Sequence, residues 1–364
     1  MSATPHPPAD SPAIDRIDAI DGLRFVAAMA VLLFHFAFRT WNATTPGVTG
    51  FPVLGAIAQY GYLGVDLFFM ISGFVILMSA GHGIPGKFVR SRFLRLYPAY
   101  WACVALTFAW LCLKPHAVPP TGLALLANLT MLQSMVGVQN LDGSYWTLAV
   151  ELQFYTLIFA VLALRQLKRI DWILAGWLAL AIAADRIPVL GSVSAALALN
   201  WCHYFVAGAI CFRIRSTGLT PLRVALLVFA LLQALRKGLW YMALKGRLTG
   251  VPYEPLIALA AITLFFALFL WLAHGGGRAR LPGLTYPGAL TYPLYLIHGA
   301  IGTDLLWMAT QAGANRWIAL ACVTTLMLLT AHIVLRYVEG PLSRALKRRL
   351  HVAGRARPAL STVD

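Results

Sequence analysis

The sequence predicts an all-α membrane protein of about ten transmembrane helices with both termini in the cytoplasm. Three observations predict it. Hydrophobic residues make up 60% of the chain and charged residues 12%, with a mean hydropathy of +0.73, against roughly 45–50% apolar and 25% charged in a soluble domain. Ten apolar runs are long enough to cross about 30 Å of hydrocarbon. Basic residues gather between alternate runs, the asymmetry that orients membrane helices.

The runs lie near residues 23–40, 60–79, 97–113, 145–164, 172–187, 195–213, 221–240, 255–274, 288–310 and 316–337. Residues 1–20 are rich in proline and acid and lack a basic start, an apolar core and a cleavage site, so they read as a short polar tail and not a signal peptide. The membrane domain is expected over 21–340, followed by a basic cytoplasmic tail over 341–364. The stretch 121–135, TGLALLANLTMLQSM, is short and carries Asn128 and Gln133, which suits an interfacial or re-entrant piece better than a span.

An even number of spans puts both ends on one side. With the ends inside, 21 of the 29 Lys and Arg face the cytoplasm, which decides the orientation. The awkward segment is 236–253, where Arg236, Lys237, Lys245 and Arg247 would sit in an outer loop. The net charge of +16 is then topology and contact with membrane lipids, and nucleic acid is not an expected partner. Five cysteines fall in apolar runs without Cys-x-x-Cys spacing, so neither a disulfide framework nor a zinc site is indicated.

Within the first run, DGLRFVAAMAVLLFHFAF, Arg24 and His35 are separated by ten residues. Eleven steps of 100° make almost three turns, so both side chains project from one helix face about 16 Å apart. Ionisable groups at membrane depth are costly and point to function; the alternative is a snorkelling Arg and a packed His. By the same topology Asp66 and Glu151 fall in the outer half of the bilayer near His35, with Ser72 close to the middle. A carboxylate there could orient the imidazole as a general base, although Asp66 could equally cap a kink near Gly61 and Gly64. Between the second and third runs, GKFVRSRFLRLYPAYW places Arg92 and Arg95 three apart on one face, suited to phosphate and equally to positive-inside topology. His298 lies near the middle of the ninth run, behind the helix-kinking Pro293, as a pocket residue or a hydrogen-bonded core histidine. His203, His332 and Asp304 read as packing residues.

Taken together, DGLRFVAAMAVLLFHF, GYLGVDLFFMISGFVI, RFLRLYPAYW, GSYWTLAVELQFY and TYPLYLIH, in this order across residues 20–300, resemble the acyltransferase 3 family of integral membrane acyltransferases. The resemblance implies transfer of an acyl group, usually acetyl, from cytoplasmic acyl-coenzyme A to a hydroxyl of an exported or lipid-linked carbohydrate, at the bacterial inner membrane. It implies that His35 is the catalytic base, aligned by Glu151 or Asp66, and that Arg24, Arg92 and Arg95 hold the donor's phosphates. Ser72, Trp146, Tyr292 and His298 would line the substrate pocket. Acyl-coenzyme A enters as a donor substrate, with no tightly bound cofactor and no metal. Thr147 stands where the family commonly has Ser after Trp146, and Gly340 stands where a basic residue often precedes the proline of YVEGPLSR. A variant in which His35 itself carries the acyl group stays open. So do a proton-coupled transporter or flippase, and a scaffold for polysaccharide assembly.

Overall fold

In the computed structural model the described residues are 17–42, 50–114, 118–277 and 280–355, and among them all regular structure is helical. In chain order the helices of eight residues or more are α1 (Asp18–Asn42), α2 (Pro52–Ala80), α3 (Pro85–Leu113), α4 (Gly122–Leu129), α5 (Gly143–Ala163), α6 (Ile170–Ala184), α7 (Cys202–Thr217), α8 (Pro221–Thr249), α9 (Pro255–Ala273), α10 (285–311) and α11 (316–355). Among the described residues, α1, α2, α3, α5, α9 and the Arg316–Arg349 part of α11 are long and apolar enough to cross a membrane. The expected fifth, sixth, seventh and ninth runs are also helical, as α6, α7, α8 and α10. The chain is an all-α membrane protein.

Three boundaries differ from expectation. The third helix starts at Pro85, where the missing N–H costs nothing at a first helical turn, so Arg92 and Arg95 sit on the helix itself and not in a loop. The segment expected as an outer loop over 236–253 continues α8 to Thr249, where Gly250 ends it with φ of 67°. Its charges are tolerated on a helix because Arg236 and Lys237 both pair with Asp185 at the end of α6. The last helix continues past 337 to Arg355, so the start of the predicted tail is helical. Eight residues of α4 rise only about 12 Å, too short to span. Its buried Asn128 instead braces the following loop, donating to the Gln139 carbonyl at 3.0 Å and accepting from Leu141 N–H at 3.0 Å.

Close packing positions the site. Beside Gly73 of α2, the space a Cβ would need is filled by the Phe205 carbonyl of α7, and beside Gly208 by the Met70 carbonyl. The two backbones touch, as small residues permit in membrane bundles. Gly61 and Gly64 meet Ala30 and Ala27 in the same way, seating α2 on α1. Three helices contain π-helical turns, at Phe34–Arg39, His298–Gly302 and Val334–Glu339. Such turns widen the helix by one residue and cluster at functional sites. His35 lies in the first and His298 opens the second. Carbonyls loosened in the first are taken up locally: Thr40 Oγ1 donates to the His35 carbonyl at 2.7 Å, and Trp41 Nε1 to that of Phe36 at 3.0 Å.

Candidate active site

Two cavities with different linings adjoin within the bundle. The first, about 110 Å³, is lined by Arg24, Arg92, Arg95, Ser72, Glu151 and Tyr292, among others. Arg24 donates to Asp21 at 3.2 Å, and Arg95 donates to Glu339 at 2.8 Å while lying over the Tyr292 ring at 5.8 Å. The Nε of Arg92, a residue that lines this cavity, is buried without a hydrogen-bond partner. Glu151 Oε1 accepts from Ser72 Oγ and from Tyr155 OH, each at 2.7 Å. Arg24 and Arg95 also line a neighbouring cavity of about 450 Å³ that reaches Asp21 and Glu339.

The second cavity, about 420 Å³, carries His35, Asp66, Asp142, Trp146, Lys245 and Asp304 on its walls, within the roughly 300–1,000 Å³ of small-molecule sites. It abuts the first across Val65 and Tyr295, which line both. His35 Nδ1 lies 2.9 Å from the Val31 carbonyl, and His298 Nδ1 lies 2.8 Å from the Tyr295 carbonyl. Facing carbonyl acceptors, both rings carry their proton on Nδ1, an assignment made from the hydrogen-bond network. His298 Nε2 therefore presents a lone pair to His35 Nδ1 at 3.3 Å. The Nε2 of His35 keeps its own lone pair, on a ring that lines the cavity.

Opposite, Asp142 is fully buried and accepts from Ser144 N–H at 2.8 Å, Ser144 Oγ at 2.6 Å and Ala300 N–H at 2.6 Å. Gly299 is obligatory there, since the Asp142 carboxylate occupies the place of any side chain. The Lys245 ammonium sits 4.8–5.0 Å from the ring centroids of Phe34, Tyr62 and Tyr241, a cation held by aromatic faces.

A family model described as an acyltransferase domain matches residues 17–336. The chain belongs to the acyltransferase 3 family. Acyltransferase MdmB of Streptomyces mycarofaciens is 26% identical over 96% of this chain and 97% of its own length. Exopolysaccharide production protein ExoZ of Rhizobium meliloti (strain 1021) is 29% identical over 89% and 98% respectively. O-acetyltransferase OatA of Staphylococcus aureus is 29% identical over 39% of this chain, a match that covers 24% of OatA. No solved structure matches the chain significantly. The protein is a membrane acyltransferase.

The residues singled out in this acyltransferase divide between the cavities. Arg24, Arg92, Arg95, Ser72, Glu151 and Tyr292 share the first; His35, Asp66 and Trp146 share the second, with His298 packed behind His35. Where Glu151 or Asp66 was expected to align His35, no hydrogen bond joins either carboxylate to the imidazole, and the ring nitrogen of His298 is the side-chain partner of His35 Nδ1. For Glu151 the reason is helical rise. Glu151 is five residues beyond Trp146 and Ser72 six beyond Asp66, so each lies about 8–9 Å farther along its helix, at the level of Arg24. Asp142 and Lys245 were missed as site residues. Asp142 had a local signal, since Asp-Gly-Ser is a turn sequence in which the carboxylate caps the following N–H.

Proposed function

We propose that this acyltransferase moves an acyl group, in the simplest case acetyl, from cytoplasmic acyl-coenzyme A to a hydroxyl of a cell-surface or exported carbohydrate, at the bacterial inner membrane. The observation that carries the reading is the abutment of a guanidinium-lined cavity and a histidine-lined cavity across Val65 and Tyr295. Arginine forks suit the donor's phosphates. The Arg24 to His35 rise of about 16 Å is of the order of a pantetheine arm, which would carry the thioester from one cavity to the other. The acceptor hydroxyl gives its proton to His35 Nε2 as its oxygen attacks the thioester carbonyl. The C–S bond then breaks, and the departing thiolate takes the proton from the imidazolium. Two of the relatives, by name an exopolysaccharide production protein and an O-acetyltransferase, support a glycan hydroxyl as acceptor.

The test is release of coenzyme A thiol by the purified protein supplied with acetyl-coenzyme A and a panel of sugars. Acceptor-dependent release, with acyl ester found on the sugar, is the expected result. Substrate flux in proteoliposomes without thiol release would favour the transporter instead.

A further inference from the structure

We propose that a third cavity, beside the histidine-lined one, is an acceptor-extension site that binds the sugar unit next to the one being acylated. The proposal rests on the carbohydrate reading above and deepens it: the acceptor is an oligosaccharide or polysaccharide, not a single sugar. This cavity, about 490 Å³, shares Tyr62, Asp66, Trp201 and Tyr241 with the histidine-lined cavity, so a chain of linked sugars could occupy both.

Three features define what fits. His203 lines the cavity and is fully buried, yet neither of its ring nitrogens has a hydrogen-bond partner. A neutral imidazole offers one donor and one acceptor, and a sugar hydroxyl answers either. The cations on the wall, Arg236 and Lys237, are both paired with Asp185, and Lys237 also donates to Asn200 Oδ1 at 3.1 Å. Both cations are thus already engaged by Asp185, and Asp66 adds a further carboxyl to the wall, a lining that suits a hydroxyl-rich ligand better than a phosphate. Lastly, Trp201 and Trp240 give the cavity broad aromatic faces, apolar bodies with polar tips that suit the C–H face of a pyranose. Trp201 also meets Trp146 at 4.9 Å between ring centroids, which carries the aromatic wall into the neighbouring cavity.

The experiment reads binding of the detergent-purified full-length protein to cello-, chito- and manno-oligosaccharides of one to four units. At least one series should gain about 3–10-fold in affinity from one unit to two, the range of one or two hydrogen bonds, and then level off. His203→Gln and Trp240→Ala should bring the two-unit to one-unit ratio close to one while single-unit binding persists. Trp240 is 59% exposed, so its truncation leaves the fold intact even where His203→Gln does not. A ratio near one in the wild type, or an unchanged ratio in Trp240→Ala, would overturn the extension site alone. Absence of binding at every length would overturn the carbohydrate reading, and this proposal with it.

Discussion

Nε2 of His298 lies 3.3 Å from Nδ1 of His35, between rings that meet edge to face with centroids 4.9 Å apart. The contact joins α1 to α10 across 263 residues of sequence. It gives His35 Nδ1 a second acceptor beside the Val31 carbonyl, so the proton stays on Nδ1 and the basic nitrogen stays on the cavity side. His35→Ala should lower kcat by about 10²–10⁴-fold, the contribution of one general base. His298→Ala should cost only about 5–10-fold, the value of one orienting hydrogen bond, with the Michaelis constant for acyl-coenzyme A unchanged. His298→Gln, which restores an acceptor oxygen, should recover part of that loss. Equal losses at the two histidines would mean that His298 transfers protons itself.

Phosphate contacts bind the ground and transition states alike. Arg92→Ala and Arg95→Ala should therefore raise the Michaelis constant for acyl-coenzyme A more than they lower turnover. Arg24→Lys should be impaired as well, because an ammonium does not reproduce a planar fork. Donor titrations of the three variants decide the matter, and unchanged affinity in all three would leave membrane topology as the sufficient reason for these arginines.

Glu151 offers a sharper discrimination. Its carboxylate serves Ser72 and Tyr155 in the basic cavity, away from the imidazole. Glu151→Gln should therefore leave the midpoint of the kcat–pH profile where it is in the wild type, while altering donor binding. A displaced midpoint with normal donor binding would return Glu151 to the role of imidazole partner.

The wall between the cavities is thin. Val65 and Tyr295 line both sides, and Tyr295 is fixed by Thr147 Oγ1 at 2.9 Å and by packing on Phe68. Val65→Trp should block passage of the thioester, abolishing transfer while donor affinity stays within about twofold. Transfer at the wild-type rate would show that the acyl arm takes another route.

Orientation in the membrane is tested by labelling. In a cysteine-free background, a cysteine at Gly86, in the first turn of α3, should be shielded in intact cells from an impermeant thiol reagent, and one at Gln139 should react. Acyl-coenzyme A added to inside-out vesicles should protect position 86. A third useful position, Thr45, lies outside the described residues. Labelling at 86 from outside would invert the arrangement and remove the donor assignment.

The helices and the Arg24–His35 pair were legible because apolar run length and a spacing of eleven are local properties, readable without knowing any neighbour. The His35–His298 contact was not, because two spans far apart in sequence had to be brought face to face. Depth was legible only coarsely. Counting turns from estimated helix ends placed Glu151 level with His35, and an error of five residues, about 8 Å, moved it into the other cavity. The π-helical turns left no pattern in the sequence, since one extra residue in a turn changes neither composition nor length noticeably. Lys245 was hidden for a different reason: its segment was expected as an outer loop, and only the continuation of α8 to Thr249 brings it among Phe34, Tyr62 and Tyr241.

The seam between α2 and α7 has a mechanical consequence. With the Phe205 carbonyl against Gly73 and the Met70 carbonyl against Gly208, the two helices have no side-chain cushion to compress and no clearance in which to slide, so they behave as one beam. By contrast, α10 is interrupted by Pro293 and then by the turn at His298–Gly302, two of the recognised causes of a kink in a helix. The α2–α7 seam is thus backbone on backbone, whereas α10 is the helix whose regular hydrogen bonding is interrupted. On the proposed function, a displacement that admits the thioester is expected on the α10 side, which also carries Tyr295 and His298, so that admission of the acyl arm and alignment of the base would be one mechanical event.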